Sequence, residues 1–169
     1  MILQVFRKTH EHIFERTYTA PIADVWQAWT QPELLRQWWG PEKTTIPECE
    51  VDLRVGGRLR IVMEAGAEMG RYAGTRWPLE GTFTHVDEPH RLVYEARSWT
   101  EGEEAATIDH VNEIVLSARG SHTVVNLRIH VTKIGSGVKA RLAAYGMKWG
   151  YNAQLDKLDT LLSSPRKEA

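Results

Sequence analysis

The apolar periodicity of this chain changes once, and the change dictates how the chain can fold. From Cys49 to Thr132 apolar residues alternate with polar ones in short runs, whereas from Gly137 onward they recur every three or four residues. Val138, Leu142, Tyr145, Trp149, Asn152, Leu155, Leu158 and Leu162 make up the second pattern. It predicts one helix from Gly137 to Leu162, stopped by Ser163-Ser164-Pro165. At ~1.5 Å per residue such a helix is ~39 Å long, enough to cross a whole sheet. Leu142, Trp149 and Leu155 are expected to face that sheet.

The alternating region divides at turn signals. Cys49 to Leu53 reads as a strand, Val55-Gly56-Gly57 as a turn, and Arg58 to Glu64 as a second strand. Leu79 to Val86 and Arg91 to Trp99 flank Asp87-Glu88-Pro89-His90, and Ile108 to Ala118 and Thr123 to Thr132 flank Arg119-Gly120-Ser121-His122. Five or six consecutive strands with short connections predict an antiparallel meander. Ala65 to Pro78, with Gly66, Gly70 and Gly74, reads as a long loop of the kind that forms lids. Trp99 to Thr107, with Glu101, Glu103 and Glu104, reads as a solvated acidic tip.

Ahead of these lies a different pattern. His12 to Tyr18 alternates as a first strand. Pro21 opens a short helix carrying Val25, Trp26 and Trp29, and Pro32 to Trp38 forms another, ended by Gly40-Pro41. The predicted fold is α+β: a curved antiparallel sheet wrapped around a long C-terminal helix, with two short helices after the first strand. One domain spans 1–169, with its core at about 11–163.

Composition narrows the function classes. The formal net charge is -1, with 21 basic and 22 acidic residues, which argues against a nucleic-acid partner. A single cysteine, Cys49, excludes an internal disulfide and a cysteine-rich metal site. No run approaches the ~20 apolar residues of a membrane span, and Met1 to Lys8 does not read as a signal peptide. A cytoplasmic protein without a membrane partner is the expectation. The seven tryptophans, Trp26, Trp29, Trp38, Trp39, Trp77, Trp99 and Trp149, serve either as packing anchors or as walls of a ligand site.

A long helix laid into a concave sheet touches it along one spine and leaves space beside it. Strand alternation points Leu59, Ile61 and Met63 inward, with Leu92, Tyr94, Val125, Leu127, Ile129 and Val131. The strand Ile108–Ala118 is open: one register turns His110 and Asn112 inward with Ile114 and Leu116, the other Val111, Glu113 and Val115. Either one carries a polar group into apolar surroundings, which costs free energy unless it is hydrogen-bonded.

Ala20-Pro21-Ile22-Ala23-Asp24-Val25-Trp26-Gln27-Ala28-Trp29-Thr30, followed by Pro32-Glu33-Leu34-Leu35-Arg36-Gln37-Trp38-Trp39-Gly40-Pro41, resembles the opening of the homologues of the heat-shock protein ATPase activator, in the SRPBCC superfamily. Val51-Asp52-Leu53-Arg54-Val55-Gly56-Gly57-Arg58, Pro89-His90-Arg91-Leu92-Val93-Tyr94 and Gly146-Met147-Lys148-Trp149-Gly150 extend the resemblance over residues 11–163. It implies the helix-grip fold of the START domain and the birch-pollen allergen. Such folds host lipid carriers, hormone receptors, polyketide cyclases and co-chaperone domains, so function has to be argued from the site.

Three functions follow as alternatives. The first is binding of a small apolar or amphipathic ligand between helix and sheet. Trp39, Met63, Trp77, Tyr94 and Trp149 are its expected walls, and His110 or Glu113 the polar counterpart of the Tyr94 hydroxyl. The second is a protein-interaction or co-chaperone-like role, with a protein partner or a second copy of the chain. The third is polyketide-cyclase-like catalysis, for which His85, His110, Glu64, Glu113 and Tyr94 are the acid–base candidates. No cofactor is expected. Arg54-Val55-Gly56-Gly57-Arg58 joins two strands, so it is a hairpin turn rather than a phosphate loop. The seven histidines show no metal-ligand spacing.

Overall fold

The computed structural model describes residues 10–164. β1 (His10–Tyr18) leads into α1 (Ile22–Thr30) and α2 (Pro32–Trp38). β2 (Thr44–Val51), β3 (Arg58–Ala65), β4 (Arg76–Asp87), β5 (Arg91–Ser98), β6 (Ile108–Arg119) and β7 (His122–Ile134) follow, and α3 (Val138–Ser163) is the last element of the described residues. Among the described residues all strand pairs are antiparallel, in one seven-stranded sheet ordered β1-β7-β6-β5-β4-β3-β2. The meander was legible in the sequence; the placement of β1 beside β7 was not.

The sheet curves because its ladders are interrupted where a bend is needed. β2 shifts register between Thr45 and Glu48, around Pro47. Proline cannot donate to a ladder, and β2 is an edge strand where that is tolerated. Further shifts fall between Phe83 and His85 and opposite Asp109–His110. At Gly81, paired with Ala96, an added Cβ would stand 2.8 Å from the Glu95 carbonyl oxygen, so the close approach there requires glycine.

The concave face is apolar: Leu59, Ile61, Phe83, Leu92, Ile114, Leu116, Val125, Leu127 and Ile129 are all buried. The open register of β6 resolves with Ile108, His110, Asn112, Ile114 and Leu116 inward. The other face is solvated and carries cross-strand ion pairs, among them Arg60–Glu48 at 2.9 Å, Arg91–Glu113 at 2.8 Å and Arg97–Asp109 at 2.6 Å. Exposed pairs of this kind contribute about 0–1 kcal/mol each.

α1 and α2 close one end of the concavity with aromatic rings. Trp38 meets Trp29 edge-on at 4.8 Å and donates its indole N–H to the Ala28 carbonyl at 2.9 Å. Trp39 continues the chain of rings to Tyr151 of α3, 6.2 Å away and nearly perpendicular.

α3 forms where the period of 3.6 predicts it, but its first half turns a different face to the sheet. Val138, Leu142, Tyr145 and Trp149 are 71%, 64%, 79% and 73% exposed. The expectation that Leu142 and Trp149 face the sheet is therefore corrected, while Leu155, fully buried, does face it. The inward stripe is Ala140, Ala144, Tyr151, Gln154, Leu155 and Leu158. Ala140 and Ala144 carry little hydrophobic signal, yet their small side chains let the backbone approach the sheet closely. The helix is pinned to β1 by Arg16, which reaches Asn152 at 3.0 Å and Asp156 at 2.7 Å, and by Tyr18, whose hydroxyl donates to the Leu155 carbonyl at 3.3 Å.

Candidate functional site: a cleft between the long helix and the sheet

The two halves of α3 fill the concavity unequally. Leu155 and Leu158 pack into the main core. Toward the N-terminus the helix presents Ala143, Met147 and Gly150, and small side chains leave room. A cleft of about 370 Å³ results, open on one side. Trp39, Pro41 and Thr44 bound it from the α2–β2 connection, Met63 from β3, and Trp77, Pro78 and Leu79 from β4. Ser98, Trp99 and Thr100 at the end of β5, and Ile108 and His110 of β6, form the opposite wall. Met69, on a 3₁₀ segment (Ala67–Tyr72) within the β3–β4 connection, and Ala106 stand at the rim.

Among the described residues no Asp, Glu, Lys or Arg lines this cleft. Three methionines, three tryptophans and Tyr151 dominate it. Methionine is flexible and polarisable and adapts to ligand shape. Tryptophan offers a large flat contact surface.

A buried polar chain runs behind the wall. Tyr151 donates its hydroxyl to Asn112 Oδ1 at 3.4 Å, and the Asn112 amide nitrogen donates to His110 Nδ1 at 2.6 Å. His110 Nδ1 is thus an acceptor, which puts the ring proton on Nε2, 2.9 Å from Ser98 Oγ. Burial pushes the His110 pKa down to about 4, so the imidazole is neutral at neutral pH. Burial likewise raises the Tyr151 phenol and holds it protonated.

Gly40 locks the cleft's far corner. Its backbone N–H donates to Gln154 Oε1 at 3.0 Å, and its carbonyl accepts from Lys157 Nζ at 3.0 Å. The residue has φ 82°, and an added Cβ would stand 2.8 Å from both Met63 Sδ and Thr44 Oγ1, so glycine alone fits.

Of the residues singled out in the sequence, Trp39, Met63, Trp77 and His110 come together on the cleft. Three do not. Tyr94 is buried beside the cleft, edge-on to Phe83 at 6.0 Å, and its hydroxyl has no hydrogen-bond partner among the described residues. Glu113 sits on the outer sheet face, paired with Arg91, because β6 turns His110 rather than Glu113 inward. Trp149 points away from the sheet. Trp99, Ser98, Thr100 and Ala106 went unread because the acidic residues after Trp99 suggested a wholly solvated tip. Tyr151 and Gln154 lie on the face of α3 that the larger apolar residues concealed.

The acid–base candidates do not converge. Glu64 pairs with Arg76 at 3.5 Å, and both His110 nitrogens are engaged. Burial pushes the Cys49 thiol up to about 11, which removes its nucleophilicity at neutral pH. Among the described residues no group of three or more His, Cys, Asp or Glu is placed to hold a metal ion, and no helix is long and apolar enough to cross a membrane.

A curved antiparallel sheet gripping one long C-terminal helix, with a cleft between them, defines a helix-grip domain of the SRPBCC superfamily. The family model described as activator of Hsp90 ATPase homolog 1-like protein matches residues 19–163, and the chain belongs to that family. Solved structures share the fold. A Chromobacterium violaceum protein aligns with a TM-score of 0.73 at 19% identity, covering 92% of this chain and 98% of its own. A Nitrosomonas europaea protein aligns at 0.68 and 25% identity, covering 90% and 93%. A Silicibacter pomeroyi protein bearing the family's name aligns at 0.69 and 20% identity, covering 91% and 98%. No curated protein sequence matches the chain.

Proposed function

We propose that the protein binds a small, mainly apolar molecule in the cleft between α3 and the sheet. The observation that carries this is the combination of about 370 Å³ of space with a wall of tryptophan, methionine and tyrosine in which none of the described residues is charged. Ligand sites of soluble proteins are clefts of ~300–1,000 Å³ lined in this way, with a few placed polar groups. Trp39, Met63 and Trp77 supply contact area and His110 supports the polar wall. Binding is favoured over acid–base catalysis because His110 is neutral and engaged at both nitrogens. The test is titration with the uncharged dye Nile red, in the native protein and in Ala143→Trp. Ala143 is exposed on α3 and lines the cleft, so a larger side chain there fills the space without disturbing the core. Saturable binding in the native protein, lost in the variant, supports the proposal; equal binding by both removes it.

The outward stripe of α3 favours a second role, docking onto a protein partner, of the kind the family description names for the heat-shock ATPase activator. Val138, Leu142, Tyr145 and Trp149 recur at helical spacing on one exposed face. Leu142→Glu with Trp149→Glu would abolish such docking while leaving Nile red binding intact.

A further inference from the structure

We propose that the ligand is electrically neutral and is held through an oxygen that accepts hydrogen bonds, such as that of a ketone, from Ser98 and Gln154; this rests on the cleft being the binding site. The argument is an inventory of the hydrogens and charges that the wall offers. Among the described residues no cationic side chain lines the cleft. A carboxylate or phosphate placed there loses its water without gaining a counter-charge, and burying an unpaired charge is far costlier than burying a neutral polar group. The same holds for an ammonium group, since no acidic side chain among the described residues lines the cleft either.

Three of the neutral polar groups have their hydrogens already committed. The Thr44 hydroxyl donates to the Pro41 carbonyl at 2.7 Å, and the Tyr151 hydroxyl to Asn112. His110 spends its one ring hydrogen on Ser98 Oγ. Because Ser98 Oγ accepts from His110, the Ser98 hydroxyl hydrogen is left to turn toward the cleft. Gln154 behaves alike: its Oε1 is taken by the Gly40 N–H, which leaves its amide nitrogen to donate. The wall thus presents donors in need of an acceptor. A pure hydrocarbon would leave both unpaired, and each unmade bond weakens binding. A ligand oxygen satisfies them. The chain Tyr151–Asn112–His110–Ser98 is what makes Ser98 a donor, so His110 acts here as a positioning residue.

Three probes of one shape separate the terms: 2-acetylnaphthalene, 2-isopropylnaphthalene and 2-naphthoate, measured by equilibrium dialysis at pH 7.5. The ketone is expected to bind most tightly, the hydrocarbon about tenfold to a hundredfold more weakly, as loss of two net hydrogen bonds dictates. The carboxylate is expected to bind weakest of the three. Ser98→Ala, which removes one of the two bonds, should weaken the ketone by about threefold to tenfold and leave the hydrocarbon unchanged, and the unchanged hydrocarbon also shows that the variant is folded. Naphthoate binding as tightly as the ketone overturns the inference while the cleft proposal stands. So does equal weakening of ketone and hydrocarbon in Ser98→Ala. Failure of all three probes to bind removes the cleft proposal and this inference with it.

Discussion

Gln154 of α3 accepts a hydrogen bond from the backbone N–H of Gly40 at 3.0 Å, joining the long helix to the α2–β2 connection across 114 residues of sequence. The bond is buried, and it fixes the corner where Trp39, Met63 and Tyr151 meet. Removing the acceptor leaves a buried N–H unsatisfied, which costs about 1–3 kcal/mol. Gln154→Leu is expected to lower the unfolding free energy in urea by that amount. Gln154→Met, which keeps the side chain's length but not its acceptor, should lose as much. Native stability in Gln154→Met would show that the side chain contributes by packing alone.

The two faces of α3 make opposite demands on leucine. Leu155 is fully buried and Leu142 is 64% exposed. Leu155→Ala should cost ~2–5 kcal/mol, and Leu142→Ala should stay within about 0.5 kcal/mol of the native protein. Thermal unfolding of the pair measures the difference directly. Similar losses at both positions would mean that Leu142 is covered.

The buried His110 gives stability a specific pH dependence. Its folded pKa is lowered to about 4 from the ordinary 6.5. The unfolded chain therefore binds the proton first as pH falls. This contribution is fully present above about pH 6.5 and is lost as the pH drops toward 4, by about 3 kcal/mol in all. His110→Gln removes the imidazole and should flatten the stability profile between these limits relative to the native protein. Carboxylates titrate in the same range, so the difference between the two profiles is the quantity to read. Parallel profiles would place the His110 ring in contact with water.

Much of this architecture is legible in the residues themselves. Turn signals such as Asp87-Glu88-Pro89-His90 and the strand alternation around them predict the meander, and the change of period after Lys133 predicts α3 to within a residue or two. Part of the cleft follows from alternation, which places Met63 on the concave side but leaves His110 and Glu113 as alternatives on β6. What escaped has physical causes. Periodicity finds a helix but does not rank two competing stripes. The larger side chains Leu142, Tyr145 and Trp149 outweigh Ala140 and Ala144 in hydrophobicity, yet the alanines fit where the helix runs close to the sheet. Trp99 and Thr100 belong to the site because β5 ends beside α3's small residues, a relationship between segments far apart in sequence. The Ser98–His110–Asn112–Tyr151 chain is likewise tertiary and has no local signature.

The seven tryptophans offer the most direct test of the cleft, because their indole N–H signals in a nitrogen–proton NMR spectrum report seven separate places at once. Trp39, Trp77 and Trp99 line the cleft, Trp149 lies on the outward face of α3, and Trp26 is buried in the main core. Titration with 2-acetylnaphthalene should shift the first three signals saturably and together, leaving Trp149 and Trp26 in place. Shifts led by Trp149, or none at the three cleft tryptophans at saturating ligand, would contradict a ligand site between helix and sheet.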